Sequence, residues 1–252
     1  MKIQYCSDLH LEFPENKKFL EQNPIRPVGD ILILAGDIVP FAYLNQHLDI
    51  FKHLSDNFEA TFWLPGNHEY YHSDTSFRSG SFIENILGNV QLVNNQVIEK
   101  NGIRLIFSTL WSSISPENQW HMHHNMSDFR VIKFNNELFS INHFNALHEE
   151  CKSFLIQELN KKFKGKTVVV THHVPTLLNY PSRYKTSILN QAFAVEMYDL
   201  IEDSFIDYWI YGHSHINTPE FIIGKTHLLT NQLGYVSHFE HHQFQEDRII
   251  LI

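Results

Sequence analysis

Residues 30–38 read DILILAGDI: a largely apolar run Asp30–Ala35, with a strand expected over Asp30–Leu34, then Gly36 and Asp37. A short apolar run rich in branched side chains and closed by a turn residue is the pattern of a strand buried on both faces. Four other stretches repeat it. Lys2–Cys6 leads into Ser7, Asp8, Leu9 and His10, and Ala60–Leu64 leads through Pro65 into Gly66, Asn67, His68 and Glu69. Thr167–Val170 leads into Thr171, His172 and His173, and Phe205–Ile210 leads through Tyr211 into Gly212, His213, Ser214 and His215. In open α/β sheets the carboxyl edge of the strands is where ligands bind. Glycines at 36, 66 and 212 permit the tight turns that bring polar side chains to that edge.

Between these runs, Asn45–Asp56, Asn142–Phe163 and Ala192–Ile201 carry apolar residues at helical spacing. The basic run Lys161–Lys166 suits the carboxyl end of the second of them. Val97–Leu110, with a turn at Lys100–Gly102, reads as an antiparallel hairpin, and so does Thr226–Leu229 with Arg248–Ile252. Trp111–Phe139 has the composition of a long irregular insertion. The alternation predicts an α/β fold with a mixed sheet or two stacked sheets, as one domain over residues 1–252.

The bulk properties narrow the partners. A net charge of -9 argues against nucleic acid, and no stretch approaches the ~18–20 apolar residues of a membrane span. Two distant cysteines and a polar amino terminus predict a reduced, cytoplasmic protein, with Cys6 as a small buried apolar residue.

The candidate ligands are Asp8, His10, Asp37, Asn67, His172, His213 and His215. They offer oxygen and imidazole nitrogen without thiolate, which suits Mn, Fe, Zn or Ni. Seven donors exceed one tetrahedral ion and suit two divalent metal ions sharing a carboxylate. Each motif alone has an ordinary explanation: a capping Asp with a packed His, or a turn. Their ordered occurrence after successive apolar runs is what favours a site. Within Thr171–Pro175, His172 follows the strand directly and is the expected ligand, with His173 behind it.

The order D-x-H, G-D, G-N-H-E, H and G-H-x-H resembles the calcineurin-like metallophosphoesterase superfamily. The stretches SDLHLEF, LAGDI, PGNHEYY, VVVTHHVPT and YGHSH are similar to a bacterial branch of predicted phosphohydrolases. The resemblance implies a four-layer α/β/β/α sandwich with two mixed sheets. It also implies a dimetal centre, with Asp8, His10 and His215 on one ion, Asn67, His172 and His213 on the other, and Asp37 bridging. The two histidines of YGHSH would then serve different ions. Hydrolysis of a small-molecule phosphoester by a metal-activated water would follow, with the Asn67 amide facing the phosphoryl oxygens. His68 would be the general acid, oriented by Asp37 or Glu69. A nuclease and an inert metal-binding scaffold are the alternatives.

Candidates outside the core of the site are Arg183 and Tyr184, as a phosphate clamp, and Asp128 and Arg130, as pocket wall or a local salt bridge. Asn190 is a candidate helix cap. The clusters His121, His123, His124 and His238, His241, His242 read as exposed loop residues, with a lid over the site as the alternative.

Overall fold

The computed structural model describes residues 1–252, the side chain of Arg183 excepted. Two six-stranded sheets form its centre. In the first, Lys2–Cys6, Ile31–Ala35, Ala60–Leu64 and Val90–Asn94 run parallel, with Ile249–Leu251 and Phe82–Leu87 as antiparallel edges. The second repeats the plan. Thr226–Leu229, Tyr208–Ile210, Lys166–Thr171 and Ile103–Ser108 are parallel, with Phe221–Ile223 and Gln96–Lys100 at the edges.

The two-residue period of a strand explains why these runs are apolar throughout. Ile31, Ile33 and Ala35 face the other sheet, where they join Val168 and Val170 in one core. Leu32 and Leu34 face outward onto Leu20, Phe51 and Leu54 of the helices Pro14–Gln22 and Leu48–Asn57. On the far side, Val169 and Trp209 meet Leu155 and Ile201 of the helices Ile141–Leu159 and Tyr198–Asp203. Helices therefore cover both outer faces, and the order of layers is α/β/β/α.

Some expectations are corrected. Thr226–Leu229 and Ile249–Leu251 are not a hairpin; they lie in different sheets. Thr226–Leu229 folds back on Phe221–Ile223 through Gly224, at φ +58°, and Ile249–Leu251 pairs with the amino-terminal strand. A close turn decided the first pairing and sheet position the second. The segment Ala192–Ile201 is not one helix. It is split where Val195 donates its N–H to Val174 O, joining the loop after His172. Asn190 begins the short helix Asn190–Phe193, and its side chain donates to Tyr184 O rather than capping. Residues 111–139 are not irregular. They contain helices Gln119–Asn125 and Asp128–Val131, and their Trp111, Met122, Phe129 and Phe139 share a core with Phe144 of the long helix. That core is built from aromatics spaced without period, so no pattern announces it. The long helix ends at Leu159, before the basic run, and Arg104 donates to Glu158 O in its last turn and to Lys161 O beyond it.

Candidate metal centre

The five motif segments meet where the two sheets present their carboxyl edges. Five of the candidate ligands have left-handed backbones: Asp8 (φ 56°), His10 (48°), Asp37 (55°), His213 (71°) and His215 (51°). For residues with a Cβ such a conformation costs roughly 1–2 kcal/mol each, and it persists only where the surroundings enforce it. The glycines clear the space. A Cβ on Gly66 would stand 2.6 Å from His172 Nε2, and one on Gly212 would stand 2.6 Å from Asp8 Oδ2.

Three donor groups result, and Asp37 belongs to two of them. Asp8, His10, Asp37 and His215 form one, Asp37, His172 and His213 a second, and His10, Glu12 and His68 a third. His10 Nε2 lies 2.9 Å from His215 Nε2, which is 3.4 Å from Asp8 Oδ1. In the second group His172 Nε2 is 3.0 Å from His213 Nδ1 and 3.2 Å from Asp37 Oδ2. Donors bound at ~2.0–2.2 Å to one ion stand roughly 2.9–3.5 Å apart, so these spacings fit divalent metals. Asn67 adds a further sign. Its Oδ1 is buried without a protein partner, while its Nδ2 donates to Asp128 Oδ1 at 3.1 Å. The carbonyl end of the amide thus meets no protein donor.

Each imidazole is braced through its other nitrogen. His10 Nδ1 donates to Glu12 at 3.1 Å and His215 Nδ1 to Glu240 at 2.8 Å. His172 Nδ1 donates to Ala35 O at 3.0 Å and His213 Nε2 to Ala192 O at 3.3 Å. Such partners select the tautomer that turns the remaining lone pair to the site. His173 is buried beside them; it donates to Thr109 O and has no partner on Nε2.

His68 stands at the cavity wall, its ring stacked on Tyr71 at 4.0 Å. Its Nδ1 is 2.9 Å from Glu12, and its Nε2 is 3.4 Å from the Tyr235 hydroxyl. Burial opposes its charged form, but Asp37 and Glu12 outweigh burial and raise its pKa to about 9. Burial likewise opposes ionisation of Glu12, and the two imidazoles beside it lower its pKa to about 2. Although buried, Asp37 is held well below the usual carboxylate range by His172 and His68. Glu69 does not reach His68. It accepts from the backbone N–H of Asp37, Ile38 and Gly66 and from Trp63 Nε1, so it ties two motif loops together. Burial and the nearby Asp37 carboxylate raise its pKa to about 7.

A cavity of about 360 Å³ opens on these groups. Tyr71, Tyr180, Tyr184, Phe193 and Tyr235 give it aromatic walls. Asp128 lines it, but its oxygens already accept from Asn67 and Tyr71. Arg130 is exposed, donates to His124 O and Ser127 Oγ, and does not line the cavity. The Arg183 side chain lies outside the described residues. His121, His123 and His124 are exposed, whereas the second histidine-rich segment delivers Glu240 to the site. Glu12, Tyr71, Tyr235 and Glu240 are therefore site residues that sequence reasoning missed. For Glu12 a signal existed, since it follows His10 by two positions in SDLHLEF.

No helix among the described residues is long and apolar enough to cross a membrane. The chain is 33% identical, over 92% of its length and 91% of the relative's, to an uncharacterized protein of Acanthamoeba polyphaga mimivirus. Among solved structures it resembles phosphopantetheinyl hydrolase from Mycobacterium tuberculosis (TM-score 0.73, 16% identity, 99% of this chain and 95% of that one). It also resembles a dimetal phosphatase from Danio rerio (TM-score 0.53, 13% identity, 91% and 86%). At these identities the likeness concerns the fold. The model of the calcineurin-like phosphoesterases matches residues 1–217. With that match over most of its length, and with divalent-metal donors gathered at the sheet edge, the chain belongs to the calcineurin-like phosphoesterase family and is a metal-dependent phosphoesterase.

Proposed function

We propose that this phosphoesterase works with two divalent ions on a small-molecule phosphoester. Asp8, His10 and His215 hold one ion, Asn67, His172 and His213 the other, and Asp37 serves both. The observation that carries this reading is the membership of Asp37 in two of the donor groups. When bound, the ions supply a water of lowered pKa and neutralise charge on the phosphoryl group.

The chain's own residues do the rest. Asp128 holds the Asn67 amide nitrogen, which leaves the carbonyl oxygen for its ion. His68 delivers a proton to the leaving oxygen, a general-acid role for which its position on the cavity wall suits it. Tyr71 stacks on His68 and keeps the ring at that wall.

The walls speak to the substrate. No Lys or Arg is among the described residues lining the cavity, and the net charge is -9. Past the two ions, the further phosphates of a polyphosphate or a nucleic-acid backbone would meet the carboxylates of Asp128 and Glu240 among the described lining residues. An aromatic cavity of this size suits one phosphoester group on a compact, uncharged body. The test is a panel of phosphomonoesters, cyclic nucleotides and dinucleotides against single-stranded DNA, with the protein loaded with Mn, Fe, Zn or Ni. Turnover of small esters with two ions per chain is expected; turnover of DNA alone would favour the nuclease reading.

A further inference from the structure

One carboxylate in this molecule serves two imidazoles. Oε1 of Glu12 lies 3.1 Å from Nδ1 of His10 and 2.9 Å from Nδ1 of His68. We propose that Glu12 is a positioning residue that fixes the orientation of both rings at once, turning the bare Nε2 of His10 to an ion and the Nε2–H of His68 to the substrate. The proposal rests on the dimetal reading of the site.

An ionised carboxylate only accepts hydrogen bonds, so both Nδ1 atoms must be the donors. Each ring then has only Nε2 for other work. On His10 that nitrogen faces His215 Nε2 at 2.9 Å and Asp37 Oδ2 at 3.8 Å. On His68 it faces the cavity side, near the Tyr235 hydroxyl at 3.4 Å. The two rings stand edge to face at 4.5 Å, and His68 is stacked on Tyr71. The ring planes are thus already clamped by packing. What packing leaves open is which way each ring is turned within its plane, and a 180° flip of either ring would set a C–H against a buried carboxylate. Glu12 closes that choice for the metal ligand and the proposed acid together.

The same three side chains lie close enough to hold a cation. That arrangement would need His10 to bind through both nitrogens and would consume Nδ1 of His68. Ion stoichiometry separates the two readings. The second oxygen of Glu12 is buried without a partner. A Gln can therefore place its carbonyl on both Nδ1 atoms while losing the charge, whereas an Ala loses both bonds.

The experiment compares metal-loaded wild type with Glu12→Ala and Glu12→Gln. In Glu12→Ala one ion should bind ~10–100-fold more weakly and the other unchanged, the usual range for an outer partner of a ligand. Turnover of alkyl phosphoesters should fall ~100-fold or more, as for loss of a working general acid. Turnover of p-nitrophenyl esters, whose leaving group needs no proton, should fall about tenfold or less. Nitrogen–proton correlation spectra of the Zn-loaded protein should show an Nδ1–H held on both rings, with Nε2 protonated on His68 alone, in wild type and in Glu12→Gln, and loss of the held Nδ1–H signals in Glu12→Ala. Should Glu12→Ala fail to fold, Glu12→Gln carries the test with smaller effects in the same direction. Equal losses across leaving groups, equal weakening of both ions, or three ions per chain would overturn the proposal. A wild type that binds no ions and cleaves neither ester would instead overturn the dimetal reading beneath it.

Discussion

The two halves of the metal centre are braced in different ways. His10 and His215 donate their outer nitrogens to carboxylates, Glu12 and Glu240. His172 and His213 donate theirs to the backbone carbonyls of Ala35 and Ala192. A carbonyl selects a tautomer without adding charge; a carboxylate selects it and makes the imidazole a stronger donor. The carboxylates also sit nearer solvent, with side chains 10% and 16% exposed, while Ala35 and Ala192 are buried. One half is therefore open to adjustment by single side chains. The other is built into the backbone of the two sheets, and no substitution removes its braces.

The largest effect is expected where the halves join. Asp37→Asn should leave fewer than one ion per chain and cut turnover by at least ~1000-fold, because both ions lose their shared carboxylate. The apo melting temperature should change little. Metal analysis and calorimetry check this, and retention of two ions would show that the halves are independent.

Next comes His68→Ala, which removes no donor from either half. Two ions should remain, and turnover of alkyl esters should fall ~10²–10⁴-fold. Unchanged turnover in the metal-loaded variant would remove His68 from the reaction.

Glu240→Gln sharpens the contrast itself. Titration should show one ion bound ~10–100-fold more weakly and the other unaltered. Equal weakening of both would mean that the kind of brace does not distinguish the halves.

The smallest effect lies outside the centre and serves as its control. Asp74 accepts from the N–H groups of Ser76, Asn135 and Asn136, and so ties the 111–139 wall to the loop after His68. Slight burial opposes ionisation, but these bonds and the Ser76 hydroxyl lower its pKa to about 2 from 3.8. Because the folded pKa is the lower one, the contribution is present above the unfolded value and fades as pH falls from about 4 to about 2. Asp74→Asn should melt slightly below wild type at pH 7, with the gap closing by pH 2 and ion binding unchanged. A gap that persists at pH 2 would refute the assignment.

How much of this was legible beforehand differs by residue. Asp8, His10, Asp37, Asn67, His172, His213 and His215 each follow an apolar run, and several adjoin a glycine, so local sequence marked them as candidates that five strand ends could bring together. The strands that end in these motifs were legible for the same reason, since burial on both faces leaves few polar positions to blur the run, although the run from Phe205 becomes a strand only over Tyr208–Ile210. The wall over residues 111–139 was not, because its aromatics obey no period and gain their burial from a helix further along the chain. Nor were the edge pairings. Ile249–Leu251 finds its partner at the opposite end of the sequence.

Sequence by itself determined the donor types and the turns that expose them, because those are properties of a residue and its immediate neighbours. Only the tertiary structure decided which atom stands behind each donor. Glu240 reaches His215 from 25 positions away, Asp128 reaches Asn67 from 61, and Glu12 meets His68 from 56. A hydrogen bond depends on distance in space, and chain separation says little about it until the sheets have closed.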